Sequence, residues 1–199
     1  MNAPPKSLPL ILSELRTATT QQHQALEKRI PFFTADLDLY TRLIKAYYGF
    51  HRPLENLLSH VAMTVPDLDW LMRSKTPSLE ADLYALGLDA AAIDAIPLCR
   101  FALQANSIAQ VLGVLYVLEG ATLGGQILRN RVYSRLDIDE YKGGRYFAVY
   151  GAGTVLMWRG FLACLYEVRD PVERATSVRA AETTFKAFES WLEQCGVLK

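Results

Sequence analysis

Residues 115–126 read LYVLEGATLGGQ and place Gly120, Gly124 and Gly125 inside a run that is otherwise apolar and helix-forming. Each interior glycine costs a helix about 1 kcal/mol relative to alanine, so ~3 kcal/mol of helix stability is given up in two turns. Glycine lets a helix bend and lets a neighbour approach its backbone closely. Two kinds of neighbour fit this spacing: a second helix packed through small residues, or a flat ligand. The run belongs to a helix that starts at Ser107, a good N-cap residue, and extends to Arg131 or beyond.

Outward from this stretch, apolar residues recur at helical spacing and strand alternation is hard to find. A first helix is expected from about Leu10 to Lys28, with Leu12, Leu15, Thr19, His23 and Leu26 near one stripe. A second is expected to be capped by Thr34 and to carry Tyr40, Leu43, Ile44, Tyr47 and Phe50, with Pro53 kinking or breaking it before Leu54, Leu57 and Leu58 resume the pattern. Short helices should follow Pro77-Ser78, ending near Gly87, and span Ala90 to Ala95. Asp137–Gly153, with four glycines, reads as the longest loop. Helices resume from Thr154 to Tyr166 and from the Asp170-Pro171-Val172-Glu173 start signal to about Trp191. With no repeat or linker, the expectation is one all-α domain over residues 1–199.

The 199 residues are 51% hydrophobic and 21% charged, with a formal net charge of zero. Nucleic-acid and anionic-membrane binders accumulate Lys and Arg, so neutrality argues against both. No apolar run approaches the ~20 uninterrupted residues that span a bilayer. The N-terminus, with Lys6 and the short LPLIL run at Leu8–Leu12, is too brief for a secretory signal. Cys99, Cys164 and Cys195 are odd in number and far apart, which reads as reduced thiols of a cytoplasmic protein.

His23 lies in LRTATTQQHQALE, residues 15–27. Glu27 follows at i+4 on the same face, where its carboxylate can accept from the imidazole Nδ1–H and so aim Nε2 at a metal. Arg16 precedes His23 by two turns, ~10 Å along the axis, about the offset between a porphyrin's iron and the carboxylates at its edge. A solvated helix face would have the same spacing.

These pieces, LRTATTQQHQALE, YVLEGATLGGQ and TTFKAFESWL near the C-terminus, resemble the haem oxygenase family over most of the chain. The likeness is greatest to the bacterial branch whose members often accompany bacteriophytochromes. The resemblance implies a helical bundle with a kinked distal helix. It implies a site for haem (iron protoporphyrin IX), which is both cofactor and substrate, and its oxidative opening to biliverdin with release of iron and carbon monoxide. His23 matches the proximal iron ligand and Glu27 the partner of its imidazole. Gly120 and Gly124 match the distal glycines whose backbone lies close over the ring. Arg16 and Tyr116 occupy propionate-holding positions, and Phe185 matches an aromatic of the pocket. Trp158 and Arg159 match more loosely, as pocket wall and propionate contact.

Many relatives carry an aspartate directly after the first distal glycine, where it organises water. Here that residue is Ala121, so the distal water network needs another source, for which His51 is a candidate. The resemblance also implies dioxygen, an external electron donor (a ferredoxin, flavodoxin or reductase) and a bacteriophytochrome as product acceptor. Gly151-Ala152-Gly153 lacks the third glycine and the strand–helix context of a dinucleotide loop. Arg129, Arg131 and Arg135 offer an acidic donor a docking patch, or simply complement the helix dipole. The resemblance further implies an α-type biliverdin, since Arg16 and Tyr116 keep the usual propionate positions. Rival readings are a haem carrier or sensor without turnover, a thiaminase-like bundle with a nucleophilic cysteine, and a helical interaction module.

Overall fold

Seven helices, in a computed structural model that describes residues 9–199 (the Leu128 side chain aside), follow the expected order. They are α1 (Leu10–Arg29), α2 (Leu37–Ala62), α3 (Thr76–Ala85), α4 (Ala90–Asp94), α5 (Ile108–Leu136), α6 (Thr154–Tyr166) and α7 (Pro171–Gln194). No strand occurs among the described residues. Met1–Leu8, which hold Lys6 and the first residue of the LPLIL run, lie outside them.

Local start signals set several boundaries. The Ser107 side chain accepts from Gln110 N–H, and Asp170 accepts from Val172 and Glu173 N–H at the head of α7. Two expectations need correction. Asp36, not Thr34, caps α2, accepting from Leu39 N–H at 2.8 Å, while the Thr34 hydroxyl turns back to the Pro31 carbonyl. Pro53 does not break α2, and the pattern resumes within the same helix at Leu54 and Leu58 as it runs on to Ala62. A proline leaves the carbonyl four residues earlier without its helical donor. That carbonyl belongs to Gly49, and Cys99 N–H donates to it at 2.8 Å from the chain after α4.

The core gathers around α2 and α5. Tyr40, Leu43, Ile44, Leu54 and Leu58 of α2 are fully buried, as are Val111 and Val114 of α5. The segment Ile108–Ile127 is long and apolar enough to cross a membrane, although Gln110, Glu119 and Gln126 interrupt it; 56% of its most apolar window is buried inside the fold, which makes it a core helix. α5 packs on α7 at Gly113, where a Cβ would collide with the Ser177 carbonyl and lie 2.8 Å from its carbon. The Ser177 hydroxyl donates to the Ala109 carbonyl at 2.7 Å in the same contact. Backbone cannot yield as a flexible side chain does, so Gly113→Ala should destabilise the protein by about 1–3 kcal/mol despite alanine's better helix propensity. Urea denaturation measures this; an unchanged midpoint would mean α5 and α7 slide apart freely.

Arg29 ties α1 to α7 through Glu189 at 2.6 Å and Glu193 at 2.8 Å, and Arg174 of α7 reaches Glu14 at 3.0 Å. The segment 137–153 is more ordered than a loop. It contains short 3-10 turns at Arg145–Ala148 and Gly151–Gly153, and it buries Tyr146 and Phe147.

Candidate active site

α1 and α5 line a cleft of ≈ 540 Å³ together with α7, Trp158 of α6 and the buried aromatics of the 137–153 segment. This lies within the usual size range of small-molecule sites. Arg16, His23 and Glu27 line it from α1, and Tyr116, Gly120, Ala121 and Gly124 from α5, with Phe185 from α7. Nine of the ten residues singled out in the sequence therefore converge. The tenth, Arg159, lies on the exposed face of α6, outside the cleft.

The glycines separate by role. A Cβ at Gly113 would meet Ser177, but a Cβ at Gly120 or Gly124 would meet nothing within 4 Å. Close helix packing thus explains Gly113 and leaves Gly120 and Gly124 unexplained, whereas a flat ligand in the cleft would use their bare backbone. α5 runs through them without a break in its helical hydrogen bonding.

His23 is half exposed to the cleft, and Phe185 meets its ring edge-on at 6.0 Å between centroids. Its Nδ1 lies 3.4 Å from the Glu27 carboxylate. This is beyond a good N–H···O bond, so the expected hydrogen bond is present only as a contact. Among the described residues no three His, Cys, Asp or Glu side chains come together to hold a metal ion. A single imidazole suits an iron that brings its own four equatorial nitrogens, and haem fits that donor set.

Aromatic and buried polar groups missed in the sequence complete the site. Tyr47, Phe32, Phe188, Tyr146 and Phe147 also line the cleft. Tyr47 meets Tyr146 and Phe188 edge-on at 5.4 and 5.1 Å. The adjacent aromatics in a glycine-rich segment were the available signal. Asp82 of α3 holds that segment in place, accepting from Arg145 N–H at 2.6 Å and Tyr146 N–H at 2.8 Å. Burial nonetheless pushes the Asp82 carboxyl up to about 6.

Behind Tyr146 sits His51, 2% exposed, with Nε2 3.3 Å from the phenol oxygen and Nδ1 3.5 Å from Glu55. His51 does not itself line the cleft; Tyr146 stands between. Burial raises the Glu55 carboxyl, but the His51 imidazole and the hydroxyls of Ser74 and Thr76 outweigh it and bring the group down to about 2. Because this lies below the ordinary value, the unfolded chain binds more protons between about pH 4.5 and pH 2. The stabilisation is complete above that window and lost as pH falls through it. Urea titrations should therefore show the stability gap between wild type and Glu55→Gln narrowing from pH 5 to pH 2.5; a constant gap would contradict the assignment.

A second buried cluster lies behind α5. Glu119, 1% exposed, pairs with Arg73 and Lys75 at 2.7 Å each and accepts from the Tyr150 hydroxyl at 2.8 Å. The cysteines are free, and none lines the cleft. Burial, helped by Cys195, pushes the Cys99 thiol up to about 11, and burial raises Cys164 and Cys195 as well. They stay protonated and weakly nucleophilic, which removes the thiaminase-like reading.

The all-helical bundle offers one cleft-facing imidazole, a bare helical backbone and an aromatic lining, a set that fits a planar iron macrocycle. Residues 10–194 match the heme oxygenase family. Heme oxygenase PigA of Pseudomonas aeruginosa is 30% identical over 187 residues, 90% of both chains. A heme oxygenase of Xanthomonas campestris is 27% identical over 158 residues, 79% of this chain and 90% of that one. The NO- and CO-bound heme oxygenase from Neisseria meningitidis has the same fold, with a TM-score of 0.75 at 20% identity, covering 93% of this chain and 91% of that one. The chain belongs to the haem oxygenase family, enzymes that oxidatively open haem, their cofactor and substrate, to biliverdin with release of iron and carbon monoxide.

Proposed function

We propose that the α1–α5 cleft is where this reaction takes place, with His23 as the iron ligand and the backbone at Gly120 and Gly124 over the opposite face of the ring. The observation that carries this reading is the pair of glycines whose missing side chains open onto the cleft that His23 also lines. When bound, haem supplies the iron that, once reduced, takes up and activates dioxygen.

This chain's residues do the rest. His23 would hold the iron through its imidazole, with the Glu27 carboxylate beside Nδ1 to orient the ring. Gly120, Ala121 and Gly124 leave room for dioxygen and put no strong acid beside it. Without a distal aspartate, protons reach the site through water held by backbone groups, and the phenol of Tyr146, backed by His51 and Glu55, serves as a hydrogen-bonding group of the lining rather than as a proton source. Burial raises the Tyr146 phenol well above its ordinary range, so it stays protonated. Arg16 at the exposed rim and Tyr116, whose ring lies 6.3 Å from Trp158, hold the propionates and seat the ring for an α-type product.

Electrons come from a separate ferredoxin, flavodoxin or reductase. Arg131 and Arg135 are exposed beyond the glycine stretch, with Arg131 over the Phe33 ring at 5.5 Å on the cleft rim, where an acidic donor would dock. Free cysteines suit a reducing cytoplasm, and a bacteriophytochrome there is the product acceptor. Haem titration followed by a reductant in air tests the reading. The Soret band should appear, then bleach as α-biliverdin forms. A stable band would instead indicate a carrier or sensor, and a β or δ isomer would overturn the propionate assignment.

A further inference from the structure

α5 is weakest where it walls the cleft, and the two residues bracketing that weak stretch are both tied to one short segment. On one side Glu119 accepts from the Tyr150 hydroxyl at 2.8 Å. On the other, the Gln126 amide donates to the Gly151 carbonyl at 2.8 Å and to the Thr154 hydroxyl, which itself donates to Gly151 at 2.9 Å. Seven residues make almost two full turns, so Glu119 and Gln126 lie within about 20° of each other around the helix axis. Gly120 and Gly124 lie roughly 110–150° away from that line at 100° per residue. The ties therefore act from behind the wall. None of Glu119, Gln126 and Tyr150 lines the cleft.

We propose that Tyr150–Thr154 is a splint that fixes the glycine stretch of α5, and that Glu119, Gln126 and Tyr150 are positioning residues for the reaction in the cleft. Glycines 120, 124 and 125 let the backbone approach the ring but remove the side-chain packing that would hold it at a set height. The splint supplies that constraint. It is itself anchored, because Lys75 bridges Glu119 and Tyr150, and Arg73 reaches from Glu119 to the Met157 carbonyl of α6 at 3.1 Å. This inference rests on the cleft being the haem site, but the splint exists with or without haem.

The test uses Gln126→Ala and Thr154→Val, because cutting the buried Glu119 pairs would threaten the whole fold. In the haem-free protein, amide hydrogen exchange over residues 120–126 should quicken by about tenfold in both variants while α2 and α7 keep their wild-type rates. In the ferrous haem complex with carbon monoxide, the C–O stretching band should broaden or shift in each variant. The double variant should move it by less than the sum of the two single shifts, because both remove the Gln126–Thr154 bond, and Thr154→Ser should keep the wild-type band. Unchanged exchange, or exchange raised equally everywhere, overturns the splint. Faster local exchange with an unmoved C–O band overturns the positioning role. Failure of the wild type to bind haem would sink the cleft reading instead, leaving exchange alone to decide the splint.

Discussion

His23→Ala should yield a folded protein that still takes up haem but lacks histidine ligation and turns over at least ~100-fold more slowly. The side chain is 51% exposed and packs mainly on the edge of Phe185 and beside Glu27, so little burial is lost. Stability should stay within about 0.5 kcal/mol of wild type, as for most surface substitutions. The apolar walls built by Phe32, Phe147, Phe185 and Phe188 remain, and with them most of the affinity for a flat apolar ring. What disappears is the nitrogen donor, so the effect should appear in the absorption and resonance Raman spectra and in turnover. Added imidazole, small enough to enter the opened space, should restore part of both. An unaltered spectrum in the variant would remove His23 as the ligand and return the cleft to a general apolar site. Glu27→Gln, which keeps the shape but drops the charge beside Nδ1, should have a smaller effect of the same kind.

The readability of this chain follows the range of the interactions involved. α6 and the start of α7 were legible residue by residue because helical period and the Asp-Pro-Val-Glu cap are encoded within a few neighbours. The positions of His23, Glu27 and Arg16 on one face follow from the same period. Pro53 does not break α2, and the reason lies 46 residues later, where Cys99 supplies the donor for the carbonyl the proline leaves bare. Thr34 and Asp36 are both good caps, and nothing local ranks them. Glu119 stands in the most conspicuous segment of the sequence, yet its partners Arg73 and Lys75 lie 46 and 44 residues away, so its burial had no local signature. The same holds for Asp82, which places Tyr146 and Phe147 from a different helix. Spacing put the α1 residues on one face and the glycines in one stretch of α5, the family resemblance implied that they wall one site, and the floor and the supports behind α5 are tertiary.

Gly124→Leu should separate stability from function most sharply. Leucine is a far better helix residue than glycine, by roughly 0.8–1 kcal/mol, and a Cβ at Gly124 meets nothing within 4 Å. The haem-free variant should therefore be as stable as wild type or more so, with a urea midpoint equal or higher. In the cleft proposed for haem the same side chain would occupy the space left for the ring and dioxygen. A misplacement of about 1 Å can cost 10²-fold in rate, so turnover should fall by on the order of 100-fold, with haem affinity reduced alongside it. This is the reverse of Gly113→Ala, where a single methyl is driven into the Ser177 backbone and stability falls. On the proposed reading one helix holds glycines of two kinds: Gly113 is small because α7 is there, and Gly124 is small to leave room for a ligand. If Gly124→Leu destabilises the empty protein, or turns over haem at the wild-type rate, the second half of that distinction is wrong and the stretch is structural after all.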